Sequence, residues 1–227
     1  LKDDSYFYKD RKYSLSQHGF ARDKEFELIK KEDDFIEFSL KNDEKTLEIY
    51  PFLFELNISY KLEKTKLIIS YKVKNRSEDR LYFSIGAHPA FNISRGDFLD
   101  FEDVRTSKRY FLDDKGLIYK NQEVSFTKNS LILDEEIFKN DALVFNDKNI
   151  KSIILRDKNS NKILKVEFKD FPYLGVWSKP NLAPFVCIEP WFGVADEENS
   201  NQNIEDKRGV QVLLKDELFS CFYSIEI

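Results

Sequence analysis

Apolar residues recur at every second position along much of this chain, a spacing that suits extended backbone with one buried and one wet face. Ile36, Phe38 and Leu40 alternate with Glu37, Ser39 and Lys41, and Leu164, Val166 and Phe168 alternate with Lys165 and Glu167. Val210, Val212 and Leu214 keep the same beat less cleanly around Gln211 and Leu213. Polar clusters at Lys41 to Lys45, Lys74 to Asp79 and Asp157 to Lys162 divide such segments and predict hairpin turns. Helical text is scarce; Asp134-Glu135-Glu136-Ile137-Phe138 offers a turn or two behind an acidic start. The polar stretch Asp196 to Arg208 reads as a long surface loop. With no strand–helix alternation and no internal repeat, the expected fold is all-β. It is a large antiparallel β-sandwich with few short helices, a single domain over residues 1–227.

Composition narrows the partners. The 21 Phe and 11 Tyr favour strands and supply a sizeable core. The net charge is −5 with no long basic run, so nucleic acid and anionic membranes are poor partners. No apolar run is long enough to span a bilayer, and Leu1 to Tyr6 lacks a signal-peptide core. Cys187 and Cys221 lie in apolar strand text and read as buried free thiols of a cytoplasmic protein; one disulfide is the alternative. The chain begins at Leu1 and contains no methionine, so either its beginning is missing or its methionines are modified.

The two histidines, His18 and His88, both follow strand-like text and open into turns. Histidine is the side chain best suited to move protons near neutral pH. His88 lies between Gly86, which permits close backbone approach, and Pro89, which stiffens the exit. It is a candidate proton donor, against the alternative of a strand-end histidine satisfied by backbone. Glu189 is a single carboxylate delivered by the apolar run Phe185 to Ile188. Burial there would raise its pKa towards the range of a general base at neutral pH. Arg22 suits a carboxylate, phosphate or hydroxyl pair, or a structural ion pair with Asp23. Asp141 stands at the mouth of a strand, where Asn-Asp usually makes a turn. Trp177 and Trp191 lie near the Glu189 strand; tryptophan faces stack on sugars, though most tryptophans are core. The histidines, cysteines and acids have no metal-ligand spacing, and no phosphate loop is present.

Four motifs in order resemble the aldose 1-epimerase (galactose mutarotase) family. They are Gln17-His18-Gly19-Phe20-Ala21-Arg22-Asp23, Gly86-Ala87-His88-Pro89-Ala90-Phe91-Asn92, Asn140-Asp141-Ala142-Leu143-Val144-Phe145 and Ile188-Glu189-Pro190-Trp191-Phe192-Gly193, with Tyr50-Pro51-Phe52-Leu53-Phe54-Glu55-Leu56 also typical. The nearer likeness is to the mutarotase-like branch named after a lactose-operon product, with glucose-6-phosphate 1-epimerases as relatives. The resemblance implies a galactose mutarotase-like β-sandwich that interconverts α and β anomers of an aldohexose without a cofactor or metal. By this likeness His88 is the general acid, Glu189 the general base, and His18 a sugar contact. Asp141 holds a sugar hydroxyl, and Arg22 matches a phosphate-contacting arginine of the hexose-phosphate branch; Trp177 is expected to wall the cleft. The partner is then a sugar or sugar phosphate. A hexose-6-phosphate 1-epimerase and a non-catalytic carbohydrate-binding protein are the alternatives. Members carry further strands and another active-site arginine before the His-Gly-Phe motif, so the domain is expected to lack the family's N-terminal strands.

Overall fold

The computed structural model describes residues 1–134, 136–180 and 183–227. Strand dominates the described residues, as the period-two pattern requires; Glu44–Ile49 is an α-helix, and three short 3-10 turns accompany it. Two compact units are present. Leu1–Ser84 with Ala195–Phe222 form the first, and Ile85–Val194 with Tyr223–Ile227 the second.

In the first unit, Glu27–Lys31, Phe35–Lys41, Phe54–Glu63 and Lys66–Asn75 make an antiparallel meander. The Lys41 to Lys45 cluster, expected as a simple hairpin turn, starts the α-helix instead. The Asp43 carboxylate accepts the Thr46 N–H at 2.6 Å while Thr46 Oγ1 accepts the Asp43 N–H at 2.8 Å. This reciprocal cap nucleates a helix within the connection, and the flanking strands still pair from Lys41↔Glu55 to Phe35↔Lys61. The Lys74 to Asp79 turn joins strands that each pair elsewhere, Lys66–Asn75 with Phe54–Glu63 and Leu81–Phe83 with Gln211–Leu213. The expected core face of Val210, Val212 and Leu214 is reversed: Val212 and Leu214 are 44% and 50% exposed. Leu213 points inward instead, in register with the fully buried Leu81. The 196–208 stretch is tied down rather than merely laid on the surface, because Lys207 Nζ, on a partly buried side chain, reaches the buried Asp196 at Oδ1 over 2.6 Å.

The second unit contains one whole sheet with the order Ile118–Ser125, Thr106–Leu112, Leu143–Phe145, Tyr173–Trp177, Phe185–Phe192, then Ile85–Gly86 and Ala90–Asn92 along the last edge. Further strands, Ser130–Ile132, Phe98–Asp100, Ser152–Arg156 and Lys162–Glu167, pair antiparallel beside it in the same unit, and the end of Leu218–Glu226 joins them. The turn at Asp157 to Lys162 is the hairpin expected, closed by Asp157 N–H to Asn161 O at 3.0 Å. At Asp134 the carboxylate accepts the N–H groups of Glu136 and Ile137, making a turn where a short helix was expected; Glu135 lies outside the described residues. The core collects Phe101, Phe126 and Phe145 in mutual ring contact, with Leu99, Ile153, Leu155, Val166, Val176, Val186 and Ile188 fully excluded from water. Val186 and Ile188 fill one side of their strand, which leaves Cys187, Glu189 and Trp191 on the other.

Candidate active site

His88 and Glu189 meet because of strand register. Gly86 pairs with Trp191, and Ala90 pairs with Cys187. The count between these two pairs is equal on both strands, so His88 stands directly across from Glu189. The ladder continues through the interruption by one hydrogen bond on each side, Ala87 N–H to Pro190 O at 3.0 Å and Ile188 N–H to Pro89 O at 3.2 Å. Each reciprocal bond is missing because its donor position is a proline. These flanking pairs are the hydrogen-bonded ones. His88 and Glu189 therefore form the close, non-hydrogen-bonded pair, in which side chains on one face approach most nearly. His88 Nδ1 lies 3.3 Å from Glu189 Oε1. The imidazole is 45% exposed and the carboxylate 3%, so the pair has one wet and one dry member.

Burial pushes the Glu189 carboxyl up to about 8; the Trp191 indole N–H opposes that rise, and the nearby Asp141 charge adds to it. Cys187, two residues back on the same face, is pushed up to about 12 by burial and by the Glu189 charge. His88, Cys187 and Glu189 offer three potential ligand atoms within 4.8 Å of one another, the one such set among the described residues. The imidazole thus faces a buried carboxylate, with the Cys187 thiol beside them.

Two further expected residues stand near this pair. Trp177 meets the His88 ring edge-on, with centroids 6.1 Å apart and planes at 84°, and also contacts the Phe185 ring. Asp141 is exposed with a left-handed φ of 66°, and one carboxylate oxygen accepts the Ala142 N–H at 2.8 Å, so it does make the turn its sequence suggests. Its charge nevertheless reaches Glu189. His18 and Arg22 belong to the first unit. His18 and Gly19 take consecutive left-handed conformations, and Phe20 anchors this turn against the rings of Tyr50 and Phe54. Arg22 is exposed and lies 3.7 Å from Asp23, the ion pair foreseen as its structural alternative.

A family model for aldose 1-epimerase matches residues 1–212. The chain belongs to the aldose 1-epimerase family. It is 33% identical over 224 residues to protein LacX of Lactococcus lactis subsp. lactis, covering 94% of this chain and 75% of LacX. Among solved structures it is similar to a galactose mutarotase related enzyme from Lactobacillus acidophilus, at 32% identity and a TM-score of 0.93, covering 100% of this chain and 78% of that one. A galactose mutarotase-like protein from Lactobacillus casei ATCC 334 gives 25% identity and a TM-score of 0.91, covering 99% and 80%. The galactose mutarotase-like all-β fold expected from the sequence is thus the fold of this aldose 1-epimerase family member.

Sequence reasoning left Trp191 between sugar stacking and core, read Gly86 only as room for close backbone approach, and passed over Gly175. Trp191 shares the Glu189 face, and its indole crosses both glycines. A methyl group at Gly86 would sit 2.5 Å from Cδ1, and one at Gly175 would lie 3.0 Å from Cε2 and overlap Cζ2 and Cη2. The available signal was a glycine within apolar strand text, Tyr173-Leu174-Gly175-Val176-Trp177, which marks close approach by another group.

Proposed function

We propose that this chain is an aldose 1-epimerase acting on an aldohexose, with His88 as general acid and Glu189 as general base. The observation that carries the proposal is the in-register pair, a proton donor and acceptor 3.3 Å apart on one face of a sheet. The anomeric hydroxyl and the ring oxygen of a pyranose are bonded to the same carbon, so two oxygens that must exchange protons also lie close together. Glu189 takes the proton from the anomeric hydroxyl while His88 gives one to the ring oxygen, and the C1–O5 bond breaks. The open-chain aldehyde turns about C1–C2 and closes on its other face with the two roles reversed. Oxidation states do not change, and the pair ends with the proton count it began with.

The working form carries one proton on the pair, and that proton is on His88. Burial of Glu189 favours the opposite placement. The pH–rate profile of kcat/KM is therefore bell-shaped, with limbs that belong to the pair rather than to either residue. Asp141 is proposed to hold a sugar hydroxyl and Trp177 to wall the sugar. His18 is proposed as a sugar contact on the strength of its motif alone.

Polarimetry on α-glucose and α-galactose tests the reading. Glu189→Gln and His88→Asn are each expected to lower kcat by roughly 10²–10⁴-fold, the usual worth of a general acid or base. A wild-type protein that binds hexose yet leaves anomer relaxation at the uncatalysed rate would refute catalysis and leave sugar binding as the function.

A further inference from the structure

We propose that Trp191 is the positioning residue of this site, with its indole seated on Gly86 and Gly175 so that the ring N–H holds the Glu189 carboxylate opposite His88. This rests on the acid–base reading above for its catalytic meaning, but its physical content concerns the carboxylate alone.

The geometry has three independent parts. Trp191 and Glu189 are two residues apart on one strand and so project from the same face. Gly86 is the cross-strand partner of Trp191 on one side, and Gly175 is the partner of Glu189 on the other. The indole reaches both, with Cδ1 over Gly86 and Cε2 and Cζ2 over Gly175. In the indole ring Nε1 lies between Cδ1 and Cε2. The edge that bridges the two glycines is thus the edge that carries the N–H, and it passes beside the residue lying between them in the sheet, Glu189. Any side chain at either glycine would lift that edge. The indole N–H donates and cannot accept, so it favours the charged carboxylate over the acid, which agrees with its opposing the effect of burial on Glu189.

The charged and titratable groups that face Glu189 are His88 across the ladder, Cys187 on its own strand and Asp141 beyond the sheet. Asp141 and the buried surroundings favour the protonated acid. Trp191 is the neutral donor that counters them. A positioned N–H would raise the share of pairs carrying their single proton on His88, the share that reacts.

The test is the titration of Glu189 in Trp191→Phe, read by carboxyl difference infrared spectroscopy with Glu189→Gln marking the band. Phenylalanine keeps an aromatic ring on the glycines and removes the donor. The expected result is a Glu189 titration about one pH unit higher, with kcat/KM on its plateau about tenfold lower, since one unit is one decade in the protonation equilibrium. Gly175→Ala leaves the tryptophan in the chain but unseats its ring, and is expected to move the titration the same way. It also serves if Trp191→Phe does not fold. An unmoved titration in either folded variant would overturn the proposal and leave Trp191 as packing only. The infrared readout is independent of turnover. If Glu189→Gln keeps its full rate, the catalytic reading fails while the hold of Trp191 on the carboxylate is still measured.

Discussion

Replacing Glu189 by Gln should make the protein more stable in alkali while it abolishes most activity, and the size of the gain follows from the site. Glu189 is 3% exposed, and burial raises its carboxyl from 4.5 to about 8. The folded protein therefore holds a proton that the unfolded chain has lost between those two values. Stability from this group is fully present below about 4.5 and is lost as pH rises through about 8. At 1.36 kcal/mol per unit the span is about 5 kcal/mol, a large fraction of the stability of any domain. Glutamine has the shape of the protonated acid and no charge to desolvate. It should match wild type near pH 5 and exceed it by up to about 5 kcal/mol at pH 9. The groups that face the carboxylate modulate this without changing its sign: the Asp141 charge adds to the penalty, the Trp191 N–H reduces it, and Cys187 stays protonated throughout. Urea unfolding of both proteins, followed by far-ultraviolet circular dichroism from pH 5 to pH 9, measures the difference directly. A difference that does not change with pH, or a glutamine variant weaker at pH 9, would refute the claim that Glu189 is a buried, reluctant anion. The trade is the one expected of a functional site, where stability is sacrificed to hold a reactive group.

Trp177→Ala is expected to raise KM for the hexose about fivefold, the equivalent of about 1 kcal/mol of ring contact, in steady-state polarimetry; a fall in kcat alone would assign Trp177 to His88 rather than to the sugar. Asp196→Asn removes the buried charge that Lys207 Nζ and the Lys2 N–H both face and should cost about 1.5–3 kcal/mol in urea unfolding; a loss under about 0.5 kcal/mol would mean that the contact is screened by water. Arg22→Ala is expected to leave KM for a hexose 6-phosphate and for the free hexose equally unchanged, measured by coupled assay, because Arg22 is an exposed partner of Asp23; a rise at least tenfold larger for the phosphate would instead favour a hexose-6-phosphate 1-epimerase.

The alternation at Leu164, Val166 and Phe168 needed no tertiary information, because one-sided burial alone imposes it, and all three are buried. Val212 went the other way because its segment is apolar at successive positions, and only the partner strand, through Leu81, decides which face turns inward. The helix at Glu44–Ile49 was hidden by the same ambiguity, since Asn42 and Asp43 serve turns and helix caps alike. Of the site, His88 and Glu189 were legible as chemistry on strand text. Their juxtaposition was not, because a sequence does not say which strands are neighbours. The seat of Trp191 was not legible because it is made by two absent side chains on two other strands.

The same register explains why each member of the proposed pair is followed by a proline. Pro89 and Pro190 lie diagonally across the His88–Glu189 pair, and each removes one ladder hydrogen bond that an ordinary residue would have made. The cost is about 0.5–1.5 kcal/mol apiece. A residue before proline is also confined to extended backbone, so both His88 and Glu189 are restrained by the residue after them as well as by the sheet. The remaining bond of each flanking pair, Ala87 N–H to Pro190 O and Ile188 N–H to Pro89 O, keeps the strands in register on both sides. The proposed acid and base must reach two oxygens of one sugar from positions 3.3 Å apart, which tolerates little wandering of either backbone. Two ladder bonds given up for two restrained backbones is a favourable exchange only where the geometry of that one pair matters more than the strength of the sheet around it. A strand pair selected for stability alone would have kept its donors, so the prolines argue for chemistry at this position independently of the histidine and the glutamate themselves.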